Sequence, residues 1–589
     1  MADTLNLAAD VSQTPLWRQA AAGLREIYGK DARLESCLTD LMQRVNDARR
    51  ARPQALIDQD LSRRDNPNWF LRPGRPAYCT YIDRYAGTLE GTRNRLDYLE
   101  ALKVGLFHPL PLLKPRDGDS DGGFAVADYR EVDPRLGTMS DLRILAEKLR
   151  ARDMSLVLDM VCNHTAKEHP WAQRMLAGDP GFADFYIVLD NRSEVDEWEA
   201  HLQDVFPDTA PGSFTYDACA GGYVWTTFYP FQWDLNYANP RVFVEMADCL
   251  FFLANAGVEG FRLDSTAYLW KRKGTISRNL PQTHLILQAL RALLTLVAPS
   301  TFLLAEAIES QASVLPFFGT PEAQECDLAY NNGVMTALWG ALADGRADIL
   351  ETTLSRAADK PVHGHWLNYV RCHDDIIWLA LSDTAEAERL QHWSKFYAGG
   401  NSFAKGEAFQ APDGFPASTC GMAASLCGGA GDPHMADRLR LLYGITYALE
   451  GIPLLYMGDE IALENFEAYR EDSALREETR WLHRPVMDWE KADRRNLASS
   501  MECEMFDFHV GLGEHLRNLS FKPGQTARTD SDGKVLIVER PLANGRFVCV
   551  ANLSDTPISH ATAGRLLVGS DASTLPAYGL RWEVHEDEN

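Results

Sequence analysis

Residues 258–264, with the sequence VEGFRLD, constrain the fold more than any other stretch of this chain. They are typical of a short buried strand, preceded by an apolar helical run at 243–255 and a turn at Ala256-Gly257. A strand behind a helix and a glycine turn indicates one βα repeat of a parallel barrel or a doubly wound sheet. Arg262 and Asp264 stand two residues apart, so both face the same side of the strand near its carboxyl end. Active sites of such folds lie at that end, although a structural ion pair is an alternative interpretation.

Two further apolar runs also end in acidic residues. Residues 301–306 (TFLLAE) end in Glu306, and residues 366–375 (WLNYVRCHDD) end in His373, Asp374 and Asp375. Three strand-like runs that each end in a carboxylate are difficult to explain by chance. Because parallel strands bring their carboxyl ends to one edge, the pattern predicts an acidic site there.

Strand-like and helix-like segments alternate over most of the chain. Eight such strands with helical runs between them predict a (β/α)8 TIM barrel, an α/β fold. The predicted strands are 77–82, 104–110, 155–160, 258–264, 301–306, 327–331, a seventh that ends at His373, and 452–457.

The segments outside the barrel pattern predict the domain organisation. Residues 1–75 read as an N-terminal helical domain, and residues 76–515 as the catalytic barrel. Two intervals, 162–238 and 376–433, are too long for plain connections and are expected to form insertions at the rim, where such segments shape access to a site. Residues 516–589 are expected to form an antiparallel β-sandwich, with a hairpin turn at Asn544-Gly545.

The chain is acidic, with 58 basic against 83 acidic residues and a formal net charge of −25. This charge disfavours nucleic acid and anionic membranes as partners, because both repel an acidic protein. The 11 cysteines are odd in number and form no CxxC pair, which disfavours a zinc site or a disulfide framework. Residues 1–17 have no basic start followed by an apolar run, so no secretory signal is expected. Reduced thiols and a cytoplasmic location are the resulting expectations.

Five motifs, taken together, resemble the α-amylase superfamily, glycoside hydrolase family 13. They are SDGGFAV (120–126), LVLDMVCNH (156–164), GFRLD (260–264), LLAEA (303–307) and RCHDD (371–375). The first of them, with FQWDLN (231–236) and RWLHRP (480–485), is similar to the branch of amylosucrases and sucrose hydrolases. The resemblance covers about residues 16–589, and within this branch sucrose hydrolases resemble the chain most.

The resemblance implies a retaining mechanism with a covalent glucosyl-enzyme intermediate. Asp264 matches the nucleophile, Glu306 the acid/base, and Asp374 a third carboxylate that holds ring hydroxyls. Arg262 is expected to lower the pKa of Asp264, because a nearby cation favours the ionised form. The pKa of Glu306 is expected to be raised, so that this residue holds its proton near neutral pH.

The same resemblance implies the residues that hold the substrate. A salt bridge between Asp121 and Arg480 would close the bottom of the pocket, so that only one glucosyl unit enters. The two histidines would donate hydrogen bonds to that unit, and the aromatic ring at 124 would stack on it. The predicted substrate-binding set is Asp121, Phe124, His164, Phe228, Gln232, Arg262, Ile308, His373, Asp375 and Arg480.

The departures from the branch decide between its members. Amylosucrases carry rim arginines that hold a growing glucan, and the matching positions here are Gln203 and Ser418. The absence of these two arginines favours a sucrose hydrolase that releases glucose and fructose. The alternatives are an amylosucrase, an α-glucosidase of other disaccharides, and a barrel that serves only as a binding subunit. The presence of all three carboxylates disfavours the last.

Sucrose is the only partner that the sequence predicts, and no metal or other cofactor is expected. In many amylases the asparagine that matches Asn163 helps to bind calcium. No additional acidic cluster near Asn163 requires an ion, and the amylosucrase-like branch does not depend on calcium. Asp159 is expected to support the site rather than to react.

Overall fold

The computed structural model describes residues 10–411, 416–570 and 573–587, and its centre is a closed barrel of eight parallel strands. Each strand pairs with its neighbours in sequence, and the first closes the barrel on the last through Ala77 and Leu454. The prediction of a (β/α)8 barrel is therefore confirmed. The strands are β1 Ala77–Tyr81, β2 Leu106–Leu110, β3 Ser155–Val161, β4 Gly260–Asp264, β5 Phe302–Ala305, β6 Leu328–Tyr330, β7 His365–Tyr369 and β8 Ile452–Tyr456.

Every residue of these strands is buried, which explains their nearly continuous apolar sequences. The prediction that the seventh strand ends at His373 is wrong, because β7 ends at Tyr369. The chain leaves the barrel after this point, and the buried Arg371 holds it by donating to the carbonyls of Gly421 and Asp374 at 2.9 and 2.8 Å. His373 and Asp374 therefore lie on a loop beyond the strand.

Helices connect the strands and cover the outside of the barrel. Many begin with a side-chain cap; Thr138, for example, forms a reciprocal capping box with Asp141. The connecting helices are Ile82–Tyr85, Leu89–Arg93, Leu96–Ala101, Met139–Arg150, Pro240–Asn255, Pro281–Val297, Gln311–Val314, Asn332–Asp344, Asp348–Ala357, Ala387–Tyr397, Ala423–Leu426, Met435–Ala448, Trp489–Asp493 and Met501–Arg517.

Three helices precede the barrel, at Pro15–Tyr28, Leu34–Ala51 and Gln54–Arg63. The first packs on Pro281–Val297, and the second packs on Pro240–Asn255. Their buried side chains belong to the same hydrophobic core as the barrel. Residues 1–9, which carry part of the segment used to predict the absence of a secretory signal, lie outside the described residues.

Both long intervals contain small antiparallel sheets. Residues 162–238 include a pair, His164–Ala166 with Gln232–Asp234, and a sheet of Val188–Leu189, Gly222–Trp225 and Phe214–Asp217. They also carry two helices, Pro170–Leu176 and Arg192–Glu199. In the second interval, Glu407–Phe409 pairs with Ser418–Cys420, on either side of residues 412–415, which are not described. A further pair, Leu113–Pro115 with Val126–Val132, follows β2.

The C-terminal part forms a five-stranded antiparallel sheet in the order Thr526–Thr529, Val535–Leu542, Gly545–Asn552, Leu580–His585 and Arg565–Val568. A second, two-stranded sheet, Ile558–Ser559 with Thr574–Leu575, packs on it through Leu575 and the valines of the larger sheet. The hairpin forms at the predicted place, with Leu542 opposite Gly545. Trp582 is fully buried and donates to the carbonyl of Gly444 in the barrel. The domain boundaries at 75 and 515 stay predictions.

Within the described ranges, no helix is both long and apolar enough to cross a membrane. All eleven cysteines are free thiols, and nine of them are buried.

Candidate active site

Arg262 lies at the centre of the acidic edge and is almost completely buried. Its Nη1 atom donates to Asp264 Oδ1 at 2.7 Å and to Asp159 Oδ1 at 2.9 Å. Its Nη2 atom lies 4.0 Å from Glu306 and 3.8 Å from Asp374. One guanidinium thus faces four carboxylates, and the three predicted catalytic acids come together around it.

Ser265 links the predicted nucleophile to the predicted acid/base. Its hydroxyl donates to Asp264 Oδ2 at 2.8 Å, and its backbone N–H donates to Glu306 Oε2 at 2.6 Å. Ser265 has a φ of 52°, in the left-handed region that residues with a Cβ rarely adopt. This unusual backbone turns one residue toward both carboxylates, which favours the short separation found in retaining glycosidases.

Burial raises the pKa of Glu306 to about 7, opposed by Arg262 and reinforced by the negative charges of Asp264 and Asp374. A carboxyl group with this pKa still carries its proton near neutral pH. Glu306 is therefore suited to general acid catalysis, since the acid must be protonated when the leaving group departs.

The pKa of Asp264 differs from the prediction. Burial outweighs the attraction of Arg262 and raises this pKa above its ordinary value. Asp264 nevertheless has the closer contact with the guanidinium, 2.7 Å against 4.0 Å for Glu306, and accepts a hydroxyl hydrogen bond as well. Its ionised form is the better stabilised of the two, so Asp264 loses its proton before Glu306 does.

Asp159 and His108 support Arg262 from below. His108 Nε2 lies 3.1 Å from Asp159 Oδ2, and both side chains are buried. Burial opposes ionisation of Asp159, but His108 and Arg262 together lower its pKa. This confirms the supporting contact expected for Asp159, which stands behind the guanidinium.

Two buried histidines border the carboxylates. Burial lowers the pKa of His164 and of His373, so both rings are neutral near pH 7. Nε2 of His164 and both ring nitrogens of His373 have no hydrogen-bond partner among the described residues. Phe124 stacks on His373 with ring centroids 5.4 Å apart. Unpaired nitrogens beside an aromatic face suit a hydroxylated ring as the missing partner.

The predicted salt bridge is present. Arg480 Nη2 donates to Asp121 Oδ1 at 2.7 Å, and each side chain is less than a tenth exposed. Gln232 donates to the other oxygen of Asp121 at 3.1 Å. Two further members of this network were not predicted from the sequence. Glu478 accepts from Arg480 at 2.9 Å, and Tyr229 donates to Glu478 at 2.8 Å.

Glu306 also lines a wide cavity of about 1110 Å³. Phe228 and Ile308 line it, as expected for the leaving-group side, and Gln203 stands on its outer part. Asp375 lies behind Ile308 in a smaller adjoining cavity, where burial raises its pKa. Of the predicted substrate-binding set, Phe228, Ile308, Arg262 and Asp375 therefore line these two adjoining cavities.

Tyr81 and Arg484 both contact His373 but were missed from the sequence. The hydroxyl of Tyr81 and both η nitrogens of Arg484 are buried without a hydrogen-bond partner in the described residues. Both groups lie within 2.9 Å of the space that a Cβ on Gly122 would fill, next to Asp121. Arg484 could have been found from the sequence, because it belongs to the RWLHRP motif. Tyr81 could not, because it ends β1 outside any motif.

The ammonium group of Lys271 occupies the place beside Asn163 where a calcium ion would have to bind. Its ammonium donates to Asn163 Oδ1 at 2.7 Å and lies 2.7 Å from Asp234 Oδ2. Asn163 and Thr227 donate to the same carboxylate oxygen at 2.9 and 2.6 Å. The oxygen ligands are thus already occupied by a built-in cation, and the site does not fit calcium.

In the described part of the chain, one group of side chains, Cys372, His373 and Asp374, brings three possible metal-ligand atoms within 4.8 Å of one another. Burial raises the pKa of the Cys372 thiol to about 12, so the thiol keeps its proton. Arg262 lies 3.8 Å from Asp374 and repels a further cation. These residues therefore do not suit a resident metal ion.

Comparison with known proteins agrees with this geometry. The family model for the catalytic domain of alpha amylase matches residues 56–392, more than half of the chain. The chain belongs to the α-amylase family. The matched segment contains Asp264, Glu306 and Asp374.

Individual relatives are more distant. Trehalose synthase of Thermus thermophilus is 30% identical over 407 residues, which are 69% of this chain and 39% of that protein. Glucosylglycerate phosphorylase of Spirochaeta thermophila is 36% identical over 290 residues, 47% of this chain and 46% of that protein. Each match thus spans less than two thirds of the relative. The crystal structure of sucrose 6F-phosphate phosphorylase from Thermoanaerobacter thermosaccharolyticum has a TM-score of 0.66 at 20% identity, covering 82% of this chain and 94% of its own, and shares the fold.

The Lys271 site generates a stability prediction. Replacing Lys271 by methionine removes the ammonium and leaves the buried Asp234 carboxylate without its cation. Breaking a buried ion pair in this way costs about 3–5 kcal/mol. We expect Lys271→Met to lower the free energy of unfolding in urea by an amount of this order. Lys273→Met is the matched control, since Lys273 pairs with Glu197 at an exposed position. Equal stability of the two variants would contradict the role of Lys271.

The pKa of Glu306 generates a prediction about pH. For a glycoside whose leaving group must be protonated, kcat/KM should fall about tenfold per pH unit above the pKa of about 7, because the acid form disappears. With an α-glycosyl fluoride, which needs no acid, this alkaline decline should be absent. Parallel pH profiles on the two substrates test the assignment. The same alkaline decline on both substrates would show that another group titrates.

Proposed function

We propose that this protein is a retaining sucrose hydrolase, which cleaves sucrose to glucose and fructose through a covalent glucosyl-enzyme intermediate. Membership of the α-amylase family supports a glycoside-active enzyme. Family membership identifies neither the substrate nor the reaction with water, and the shape and charge of the pocket support both.

The Asp121–Arg480 contact is the observation that carries the proposal. Its atoms are 2.7 Å apart, both side chains are less than a tenth exposed, and we propose that the pair forms the inner end of the pocket. A bonded pair at this place leaves no passage for a further sugar beyond the first. The pocket then accepts one terminal glucosyl unit, so a small disaccharide suits it and the interior of a glucan chain does not.

The first step forms the intermediate. Asp264, ionised beside Arg262, attacks the anomeric carbon of the glucosyl unit, and the glycosidic bond to fructose breaks. Glu306 donates its proton to the departing oxygen, consistent with its pKa of about 7. Asp374, His164 and His373 would hold the ring hydroxyls during this step.

In the second step Glu306, now a carboxylate, takes a proton from water. The water oxygen bonds to the anomeric carbon, the ester bond to Asp264 breaks, and glucose leaves with retained configuration. The Ser265 N–H contact to Glu306 stabilises the carboxylate form that this step requires. One residue pair therefore serves both halves of the reaction.

Charges on the leaving-group side favour a neutral sugar over an anionic partner. The charged side chains that line the wide cavity are Glu199, Asp204, Arg278, Glu306 and Glu309. The single arginine is bonded to Glu309 and Glu199 is bonded to Arg192, so Asp204 and the carboxylate form of Glu306 give the wall its excess of negative charge. Phosphate is disfavoured in such a cavity, and this separates the proposal from the relatives that are named phosphorylases.

The acceptor side favours water. Gln203 stands at the cavity rim, where its neutral amide forms weaker hydrogen bonds than an arginine. Ser418 is different from the expectation, because it is buried in a strand and donates to the carbonyl of Phe409 at 2.9 Å. It does not line the wide cavity. A weakly held sugar competes poorly with water, since positioning is what makes a dilute acceptor effective.

An amylosucrase is the second candidate. The cavity of about 1110 Å³ is larger than one fructosyl unit needs and has room for an oligosaccharide acceptor. Transfer to a glucan and transfer to water share the same first step, so the products distinguish them.

Incubation of the purified protein with sucrose tests the proposal directly. We expect glucose and fructose in nearly equal amounts by chromatography, with little change when glycogen is added. Asp264→Asn should release less fructose by several orders of magnitude, because the nucleophile is lost, while circular dichroism and melting temperature stay close to those of the parent.

Trehalose and maltose should be tested in parallel. An insoluble α-glucan that carries most of the glucosyl units would favour the amylosucrase. Turnover of trehalose or maltose with inert sucrose would contradict both candidates.

The pocket floor generates a separate prediction. Asp121→Asn keeps the side-chain shape but removes the charge that binds Arg480, while Arg480 stays paired with Glu478. Charge-assisted hydrogen bonds contribute about 1.5–3 kcal/mol, so kcat/KM for sucrose should fall about 10- to 150-fold. Asp117→Asn, at an exposed position in the same loop, is the control. An unchanged kcat/KM in Asp121→Asn would mean that the bridge has no part in binding.

A further inference from the structure

Arg278 and Glu309 form an ion pair on the wall of the wide cavity. Arg278 Nε bonds to Glu309 Oε1, and Arg278 Nη2 donates to the carbonyl of Ile308 at 2.7 Å. The arginine side chain is 25% exposed and the glutamate 12%, so the pair is partly open to the cavity. Neither residue belongs to the motifs that carry the family resemblance.

The pair lies close to the reacting groups. Glu309 follows Glu306 by three residues on the loop after β5, and Arg278 comes from the loop after β4. The guanidinium lies 5.6 Å from the ring centre of Tyr268, which contacts Phe228 edge-on. Arg278 and Glu309 line the same cavity as Glu306.

Arg278 retains one nitrogen for a ligand. Nε and Nη2 are used by Glu309 and Ile308, whereas Nη1 has no hydrogen-bond partner among the described residues. The charge of this guanidinium is nevertheless compensated by Glu309. Asp204, on the same wall, adds further negative charge, whereas Glu199 is paired with Arg192.

We propose that Glu309 determines acceptor specificity, because it neutralises Arg278 and so excludes inorganic phosphate from the glucosyl-enzyme. This inference rests on the proposed function, since it requires the covalent intermediate. Without the Glu309 charge, the guanidinium would present a free cation about where an acceptor binds, and a phosphate would have a bidentate partner.

The reaction that this change opens is phosphorolysis. An oxygen of hydrogen phosphate bonds to the anomeric carbon, and the ester bond to Asp264 breaks. Glu306 lost its proton to fructose in the first step. Where the phosphate monoanion reacts, Glu306 accepts the proton of the attacking oxygen; where the dianion reacts, Glu306 regains its proton from solvent. The products are α-glucose 1-phosphate and the free Asp264 carboxylate.

The test compares the parent with Glu309→Gln in sucrose and inorganic phosphate. Fructose release measures the first step, and the ratio of glucose 1-phosphate to fructose measures the use of phosphate. We expect almost no glucose 1-phosphate from the parent and at least about a tenfold higher ratio from Glu309→Gln, as for one added charge-assisted contact.

Two matched variants separate a freed guanidinium from a general loss of negative charge. Asp204→Asn removes a carboxylate from the same wall without releasing Arg278, so its ratio should equal that of the parent. In the double variant Glu309→Gln with Arg278→Met, the ratio should return to the parent value. An increase in Asp204→Asn of equal size, or one that persists in the double variant, would overturn the inference.

Failures of the two proposals give different results. If the parent releases no fructose from sucrose, the proposed function is wrong. If Glu309→Gln releases fructose without additional glucose 1-phosphate, the specificity inference is wrong while the proposed function stands. Where circular dichroism shows that Glu309→Gln is unfolded, Glu309→Ala replaces it with the same expected ratio and the same contradicting result.

Discussion

The buried guanidinium of Arg262 is the interaction on which the site depends. Asp264 and Asp159 lie within hydrogen-bond distance of it, and Glu306 and Asp374 lie near 4 Å. Four carboxylates so close together repel one another strongly in a dry interior, and a single cation compensates part of this repulsion. The guanidinium also lies closer to Asp264 than to Glu306, and this difference separates their roles. Asp264 ionises more readily than Glu306, whose pKa is about 7.

Two further cations hold the surroundings of this centre in place. Lys271 joins the loop after β4 to the first rim insertion through Asn163 and Asp234, where other members of the resembling superfamily use calcium. Arg480 joins Asp121 to Glu478, and in the proposed function this contact closes the inner end of the pocket. In both places a fixed side-chain cation compensates a buried carboxylate. In the proposed function, a closed inner end and an acidic outer side suit a neutral disaccharide.

The eight alternating strand-like runs were sufficient to predict the barrel, because parallel strands buried on both faces leave continuous apolar runs in the sequence. The short distance between Arg262 and Asp264 was predictable for the same reason, since residues i and i+2 share a face. The end of β7 was not, because Arg371 takes the chain out of the barrel through bonds to distant carbonyls. The burial of Ser418 was not predictable either, because it depends on the pairing of this residue with Phe409.

The sequence alone determined the barrel and indicated the three carboxylates and part of their surroundings, because each of these is tied to a local pattern or motif. Only the tertiary structure decided the electrostatics. Burial outweighs Arg262 at Asp264, a balance of desolvation and distance that adjacent letters do not contain. The Lys271 cation, the Ser265 contact to both acids and the Arg278–Glu309 pair likewise arise where separate loops meet. Their chemistry depends on distances in space, which the order of residues along the chain does not specify.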